Sequence, residues 1–280
     1  MKLFIGICTY NRKNIIEYTS KSLMEIEGIE KTSINVYDDS STEYGVEELK
    51  KIYPIAQKIS VSEKNLGADF NTQRMYEAFL ESDCDYLFNA DSDLVFSKDL
   101  LKIIEKNIQS LENAAKGVIF SLINIPEHQY IKDFDENLCY KYSVGAGGVV
   151  FSRKVVELFI NKLPERYTVK FPSIDHYFCH ILRENNYDIF CTKKSYLQHI
   201  GLIGQNSFGL RVDWGKDFEI DTVTNANAVV EVLQNYIINE VPKNICKLCE
   251  DGKVGAKTII KALWLCVKFK VKSFKKKLKG

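Results

Sequence analysis

Short apolar runs alternate with segments of helical period from the first residues of the chain. Buried strands show continuous apolar runs, whereas longer stretches with apolar residues every three or four positions are typical of helices. The alternation predicts an α/β fold with a Rossmann-like, mainly parallel sheet flanked by helices. The predicted strands are 2–8, 33–37, 55–61, 85–89, 117–122, 149–151 and 189–192, and the predicted helices are 13–27, 45–52, 68–81 and 98–111.

Three polar clusters follow predicted strands, and each lies where its strand ends. In open α/β sheets, ligands bind beyond the carboxyl ends of the strands. The clusters therefore predict a ligand site at that edge of the sheet. They are Thr9-Tyr10-Asn11-Arg12, Asp38-Asp39-Ser40-Ser41 and Asp91-Ser92-Asp93.

Asp91 and Asp93 place two carboxylates one residue apart, directly after an apolar run. In extended backbone, residues i and i+2 face the same way, and two neighbouring anions are costly without a cation between them. Carboxylate oxygens suit Mg²⁺ or Mn²⁺, which keep other positions for water and phosphate. The alternative is a solvated turn in which the acids bond their own backbone.

Two further features support a nucleotide at the same edge. Asp38 and Asp39 end the second strand, where an acid can accept hydrogen bonds from ribose hydroxyls or from a base N–H. A solvated Asp turn is again the alternative. Gly67 precedes a predicted helix, so backbone can approach a ligand there and the helix N-terminus favours anions.

The motifs ICTYNRK, VYDDSS, NLGA, NADSDLVF and GAGGVVFSR occur in one order. Their order resembles the family 2 glycosyltransferases, which are nucleotide-sugar enzymes of the GT-A fold, over residues 1–208. The family often has Gly where Ser40 stands, and a turn tolerates that difference. The resemblance implies hexosyl transfer from a nucleotide sugar, a UDP-sugar by the family pattern, to a hydroxyl of a glycan or lipid-linked acceptor. It further implies Mn²⁺ or Mg²⁺ as cofactor and inversion at the anomeric carbon.

The same resemblance implies roles for individual residues. It implies that Asp91, Asp93 and His199 bind the metal, although a lone histidine such as His199 is often a structural residue. Residues 145–148 resemble the small-residue floor beneath the donor sugar, with close packing or a flexible turn as alternatives. Contacts with the nucleotide sugar fall to Thr9, Tyr10, Arg12, Asp38, Asp39, Asn65, Gly67, Arg74, Asp91 and Ser92.

Asp175 is the predicted catalytic base. Pro172 and Ser173 indicate a helix start, which places Asp175 in the first turn, where the helix dipole favours the ionised carboxylate. Such a carboxylate at a pocket mouth is suited to accept a hydroxyl proton. The resemblance implies a Glu-Asp pair here, but this chain has Ile174-Asp175. An acid that only stabilises the helix is one alternative, and His176 is a possible substitute base.

The C-terminal region carries a charge asymmetry that the net charge of +1 conceals. No acid follows Asp251, and ten lysines fall between Lys253 and Lys279, interleaved with Trp264 and other apolar residues. An interfacial helix with a polybasic patch fits this pattern, which predicts attachment to an anionic membrane surface. A solvated tail, a helix docked on the body and RNA binding are the alternatives, but no base-stacking motif supports RNA. The predicted domains are therefore 1–225, a GT-A domain, and 226–280, a helical region with the basic tail.

The remaining sequence features bear on compartment and on rival functions. We expect a cytoplasmic protein, peripheral on the inner face of the membrane, because neither a signal peptide nor an apolar span is visible. The eight cysteines are scattered and indicate reduced core residues. A sugar nucleotidyltransferase would need a Gly-rich phosphate loop after the first strand, where this chain has Cys8-Thr9-Tyr10-Asn11. A catalytically inactive, membrane-attached binding module would need none of Asp91, Asp93 and Asp175.

Overall fold

The computed structural model describes residues 1–166, 173–202 and 213–241. It divides into two compact units, Met1–Ile200 with Trp214–Ala226, and Gly201–Asp213 with Asn227–Gly280. The predicted basic tail lies outside the described residues, so the membrane attachment stays a prediction. No helix within the described residues reaches the length and hydrophobicity that crossing a bilayer requires.

The helices and strands alternate as the sequence pattern predicts, and their bounds mostly agree with it. The third strand starts later than predicted, at Lys58, because residues 54–57 form a turn that begins at Pro54. The strands are β1 Leu3–Thr9, β2 Ser33–Asp38, β3 Lys58–Val61, β4 Tyr86–Asp91, β5 Leu94–Phe96, β6 Ile119–Ser121, β7 Tyr130–Asp133, β8 Leu138–Lys141, β9 Val149–Ser152, β10 Phe190–Thr192 and β11 Leu197–His199. The helices are α1 Lys13–Met24, α2 Val46–Ile52, α3 Ala68–Glu81, α4 Leu100–Glu112, α5 Arg153–Arg166, α6 Ile174–Glu184 and α7 Val223–Asn235.

Nine of these strands form one sheet in the order β3-β2-β1-β4-β9-β6-β10-β8-β7. The first four are parallel to one another, whereas β9 is antiparallel to both of its neighbours, β4 and β6. Helices follow the parallel strands, as right-handed βα connections require. The predicted α/β fold with a GT-A-like sheet is confirmed.

The sheet is covered by apolar side chains on both faces. Leu3, Ile5 and Ile7 of β1 join one buried cluster, and Phe4, which lies between Leu3 and Ile5, joins the other. Alternation along a strand sends successive side chains to opposite faces, which is why β1 is apolar throughout. At Gly6, a Cβ would lie 2.2 Å from the sulfur of Met75, so α3 packs closely against β1 only because the strand has glycine there.

Strand register brings the three polar clusters to one edge of the sheet. Thr9 pairs with Asp38 across β1 and β2, and Cys8 pairs with Asp91 across β1 and β4. The parallel strands therefore end together, and the segments that follow them converge. The predicted meeting of the clusters is present in the structure.

The prediction of extended backbone through Asp93 is wrong. Asp91 is the last residue of β4, and Ser92 and Asp93 form a tight turn into β5. The turn arises because β5 leaves the large sheet and pairs instead with β11 in a separate two-stranded sheet.

Candidate active site

The segment after β1 has an unusual backbone. Asn11 and Arg12 both have left-handed φ angles, of 52° and 58°. This conformation costs on the order of 1–2 kcal/mol for each residue that has a Cβ. The Asn11 side chain offsets the cost, because its Oδ1 accepts hydrogen bonds from the backbone N–H of Thr42 at 2.8 Å and of Glu43 at 3.2 Å. The loop after β2 therefore fixes the backbone at Asn11 and Arg12, and with it the direction in which the Arg12 side chain points.

Thr9 and Tyr10 differ in their access to the site. The Thr9 hydroxyl is buried and shares a hydrogen bond of 2.7 Å with the Tyr44 hydroxyl, which also donates to the Asn11 carbonyl at 3.0 Å. Burial raises the pKa of Tyr44, so its phenol stays protonated. Tyr10 is partly exposed at the same edge. In this arrangement, Thr9 supports the loop, and Tyr10 is the more accessible of the two side chains.

Asp38 stabilises its own turn. Its carboxylate is buried and accepts hydrogen bonds from the Ser41 N–H at 2.9 Å and from the Ser41 hydroxyl at 2.5 Å. Ser40 between them has a left-handed φ of 63°. This is the local Asp turn that was the alternative for this residue, although the turn is buried and not solvated.

Asp39 connects the end of β2 to the loop before α3. Its two oxygens accept hydrogen bonds from the backbone N–H of Leu66 at 2.9 Å and of Gly67 at 2.8 Å. Asn65 Oδ1 also accepts from the Gly67 N–H, at 3.1 Å. Gly67 has a φ of 89°, which favours glycine. Asp39 therefore orders the NLGA motif against the site.

Arg74 of α3 lies beneath this loop. It donates hydrogen bonds to Ser60 Oγ at 2.9 Å, to Asn71 Oδ1 at 2.9 Å and to the Ser62 hydroxyl. The loop and Arg74 line an open surface depression with a volume of about 270 Å³. Its lining residues are Ser62, Glu63, Lys64, Leu66 and Arg74.

Asp93 lies between two cationic side chains. Its Oδ2 is 3.0 Å from Arg12 Nη1 and 3.3 Å from His199 Nε2. Burial alone would raise the pKa of Asp93, but the nearby charges of His199 and Arg12 outweigh it and hold that pKa well below the usual range. Asp93 is thus an ionised, buried carboxylate.

The short sheet of β5 and β11 explains how His199 reaches Asp93 from a distant part of the chain. The strands are antiparallel, with His199 paired to Leu94, and the Ile200 N–H donates to the Asp93 carbonyl at 2.8 Å. Ser92 is held from the other side, because its carbonyl accepts from the Thr19 hydroxyl at 2.9 Å. The turn that carries Asp93 is therefore fixed by backbone contacts on both flanks.

Asp91 has the opposite electrostatic behaviour. Burial first, and then the charge of Asp93, raise the pKa of Asp91 to about 7, although His199 and Arg12 oppose the shift. Two carboxylates in one site cannot both ionise cheaply without added positive charge.

The carboxylates fit a divalent cation of the Mg²⁺ or Mn²⁺ type. Asp93 Oδ1 is buried, with no hydrogen-bond partner among the described residues. A buried carboxylate oxygen of this kind is suited to a cation. Within the described residues, no three His, Cys, Asp or Glu side chains are grouped closely enough to enclose a metal ion. A cation here would therefore take most of its ligands from water and phosphate, as Mg²⁺ commonly does.

The glycine-rich loop of residues 145–148 packs directly against Asp91. A Cβ on Gly147 would lie 2.1 Å from Asp91 Oδ2, so only glycine fits. Asn89 Nδ2 donates to the Ala146 carbonyl at 2.9 Å, and the Gly148 N–H donates to the Asn89 carbonyl at 2.8 Å. Close packing against the carboxylate accounts for Gly147, and the role of residues 145–148 as a donor-sugar floor stays a prediction.

Asp175 lies in the first turn of α6, as predicted, with Ser173 at the N-cap. Its Oδ1 accepts hydrogen bonds from the Ser173 hydroxyl and from the His176 N–H at 2.9 Å. The charge of Asp175 is among those that raise the pKa of Asp91, so the two carboxylates share one electrostatic environment. The His176 ring is exposed, with Nδ1 3.3 Å from Asp175 Oδ1.

Several supporting residues were missed in the sequence. Tyr44 holds the loop after β1, and Asn89 holds the turn before β9. Tyr44 lies in none of the quoted motifs, whereas Asn89 begins NADSDLVF but was given no role. Asn11 was quoted within a motif but given no role. The left-handed backbone at Asn11 and Arg12 cannot be recognised from the local sequence. A polar residue inside the apolar run of β4, by contrast, indicates a buried hydrogen bond, so the role of Asn89 could have been predicted.

Comparisons with known proteins agree with the fold described above. The family described as glycosyl transferase family 2 matches residues 4–145. The crystal structure of S. aureus TarS superposes with a TM-score of 0.52 at 16% identity, covering 87% of this chain and 41% of TarS. TarS 1-349 in complex with UDP superposes with a TM-score of 0.51 at 15% identity, covering 87% of this chain and 68% of that TarS chain. Its complex with UDP-GlcNAc superposes with a TM-score of 0.52 at 16% identity, covering 87% of this chain and 69% of that TarS chain. At this identity the likeness shows the fold alone, and this chain spans less than half of the first of these TarS chains. No curated protein is significantly similar in sequence.

Proposed function

Because this chain belongs to glycosyl transferase family 2, we propose that it transfers a sugar from a UDP-sugar to a hydroxyl group of a glycan or lipid-linked acceptor. The observation that carries the proposal is the electrostatic interaction of Asp91 with Asp93 and Asp175 at the edge of the sheet where β2 also ends. TarS, which shares the fold, has been crystallised with UDP and with UDP-GlcNAc. That likeness favours UDP as the nucleotide for this chain.

The nucleoside is proposed to bind between Tyr10 and the depression at Arg74. Asp38 and Asp39 are used in hydrogen bonds within the protein, so their part in binding is to hold the loops in place. The partly exposed Tyr10 and the open lining at Lys64 are the accessible groups. This assigns direct contact to the accessible side chains and support to the two acids.

The diphosphate is proposed to bind at Asp91 and Asp93 with Mn²⁺ or Mg²⁺. Those two residues would hold the cation, while His199 orients Asp93 through its contact at 3.3 Å. A bound divalent cation supplies charge neutralisation for a departing diphosphate. Gly147 leaves the space in which the Asp91 carboxylate sits.

Asp175 is proposed to act as the general base in a direct displacement. The acceptor oxygen forms a bond to the anomeric carbon while the bond from that carbon to the diphosphate oxygen breaks. The diphosphate leaves with the electron pair, and the acceptor proton passes to Asp175. Both hydrogen bonds described above use Oδ1, which orients Oδ2 as the proton-accepting oxygen. A single displacement inverts the configuration at the anomeric carbon.

The basic tail supports a proposal about location. Residues 253–279 combine lysines with Trp264 and contain no acid, so we propose a cytoplasmic enzyme held at the inner face of the membrane. An acceptor linked to lipid would then be presented at the same surface.

Asp175→Asn tests the base while leaving the donor site in place. UDP should still bind in the presence of Mn²⁺, measured by calorimetry, whereas sugar transfer should fall by roughly 100-fold or more. Asp93→Ala should lose donor binding and transfer together, because it removes a direct ligand of the cation that holds the diphosphate. Near-normal transfer by Asp175→Asn with loss in His176→Ala would assign the base to His176. UDP binding that is equally tight with Mn²⁺ and with EDTA would refute the metal-dependent donor site.

A further inference from the structure

The Arg12 side chain connects the turn after β1 to the buried Asp93. Arg12 Nη1 lies 3.0 Å from Asp93 Oδ2, and the Arg12 side chain keeps about a third of its surface exposed, at 32% against 9% for Asp93. The guanidinium therefore contacts the Asp93 carboxylate while the Arg12 side chain remains partly exposed to solvent. It is placed to meet a second anion without leaving the site.

The backbone of Arg12 is held firmly enough to make this placement specific. The Arg12 carbonyl accepts hydrogen bonds from the N–H groups of Ile15 at 2.9 Å and Ile16 at 3.1 Å, both in the first turn of α1. Its left-handed φ of 58° carries a conformational cost that the Asn11 contacts offset. Strained backbone that its surroundings maintain is common at functional sites.

Charge at the cluster indicates what Arg12 does there. Asp91 and Asp93 together would match a divalent cation in formal charge, but the guanidinium of Arg12 cancels one of the two carboxylates. The net negative charge of the site is then smaller, which weakens the binding of a free divalent cation. It has the complementary charge for a cation that arrives together with the negative diphosphate, because the guanidinium attracts the phosphate oxygens.

We propose that Arg12 makes the binding of the divalent cation and of the nucleoside diphosphate depend on each other. Arg12 weakens binding of the cation alone by repulsion and strengthens binding of the diphosphate by attraction. Such coupling is reciprocal, so each ligand raises the affinity for the other by the same factor. This inference rests on the proposed function, because it needs a cation and a nucleoside diphosphate at this site.

Calorimetric titration of the full chain with Mn²⁺ alone, and with UDP in the presence of Mn²⁺, tests the coupling. Arg12→Gln should bind Mn²⁺ alone about tenfold more tightly than the unaltered protein, and UDP with Mn²⁺ about tenfold more weakly. Arg12→Lys keeps the charge and should stay close to the unaltered protein with Mn²⁺ alone. A gain in metal affinity cannot come from damage to the fold.

Lys13→Gln is the matched control for net charge. Lys13 is the next residue and pairs with Glu48, away from Asp93, so its loss should change neither titration. Equal Mn²⁺ affinity in the unaltered protein and Arg12→Gln, with UDP binding intact, would overturn the role of Arg12 and leave the proposed function standing. Failure of the unaltered protein to bind UDP with Mn²⁺ would refute the proposed function and this inference together.

Discussion

Replacing Gly147 with alanine tests whether the glycine-rich loop exists to make room for Asp91. The added Cβ would lie 2.1 Å from Asp91 Oδ2 and 2.8 Å from its Cγ. Because non-bonded carbon atoms in contact lie about 3.5–4.0 Å apart, the overlap forces the carboxylate to move by more than about 1 Å. The backbone at Gly147 is not in the left-handed region, so the effect comes from the side chain alone.

The expected cost differs between stability and function. The overlapping atoms are the end of a rotatable side chain, so unfolding should become easier by only about 1 kcal/mol, at the low end of the cost of overpacking. A displacement of about 1 Å at a catalytic site can reduce the rate by roughly 100-fold. We therefore expect Gly147→Ala to fold, with a melting temperature lower by about 2–4 °C. Binding of UDP with Mn²⁺ and sugar transfer should fall far more.

Gly145→Ala is the control for this experiment. It makes the same chemical change two residues away, where the nearest atom to the added Cβ is His128 Nε2 at 3.9 Å, an ordinary contact. Melting curves, UDP calorimetry with Mn²⁺ and a transfer assay on both variants separate the two cases. If Gly145→Ala and Gly147→Ala lose donor binding to the same extent, loop flexibility explains the motif and the reasoning from Asp91 is refuted.

Two further predictions concern Asp91 and the basic tail. A raised pKa means that Asp91 contributes stability below its unfolded pKa and that this contribution is lost as pH rises through about 7. Asp91→Asn in EDTA should therefore be more stable than the unaltered protein at pH 8 by about 1–3 kcal/mol. The pKa shift sets an upper limit of about 4 kcal/mol, at 1.36 kcal/mol per pKa unit. The expected gain is smaller than this limit because the Asp91 side chain is partly exposed. Urea unfolding at several pH values should show the gain shrink as pH falls below 7 and vanish below the unfolded pKa of about 4. A gain that is constant with pH would contradict the assignment. We expect the full chain to cosediment with anionic vesicles in a salt-sensitive manner, and a chain ended at Asp251 to lose that binding. Unchanged binding after truncation would refute the membrane anchor.

Local sequence pattern was sufficient to predict the elements that carry the proposed donor-binding residues. Hydrophobic period and glycine positions predicted β1, β2, α3 and β4 with small errors at their ends, because each element depends mainly on its own residues. The rule that ligands bind beyond the carboxyl ends of parallel strands then predicts that the acids at 38–39 and 91–93 lie at one edge of the sheet. Asp175 in the first turn of α6 followed from Pro172 and Ser173 in the same way.

Side-chain partners were beyond local pattern. His199 meets Asp93 because β11 pairs with β5, and both strands have three residues, too few to show a period. The ion pair of Arg12 with Asp93 depends on two successive left-handed residues that the loop after β2 stabilises. Whether an aspartate such as Asp39 meets solvent, ligand or backbone depends on which loop packs over it. Those choices depend on strand pairing and packing between residues far apart in the chain, so they are properties of the folded protein as a whole.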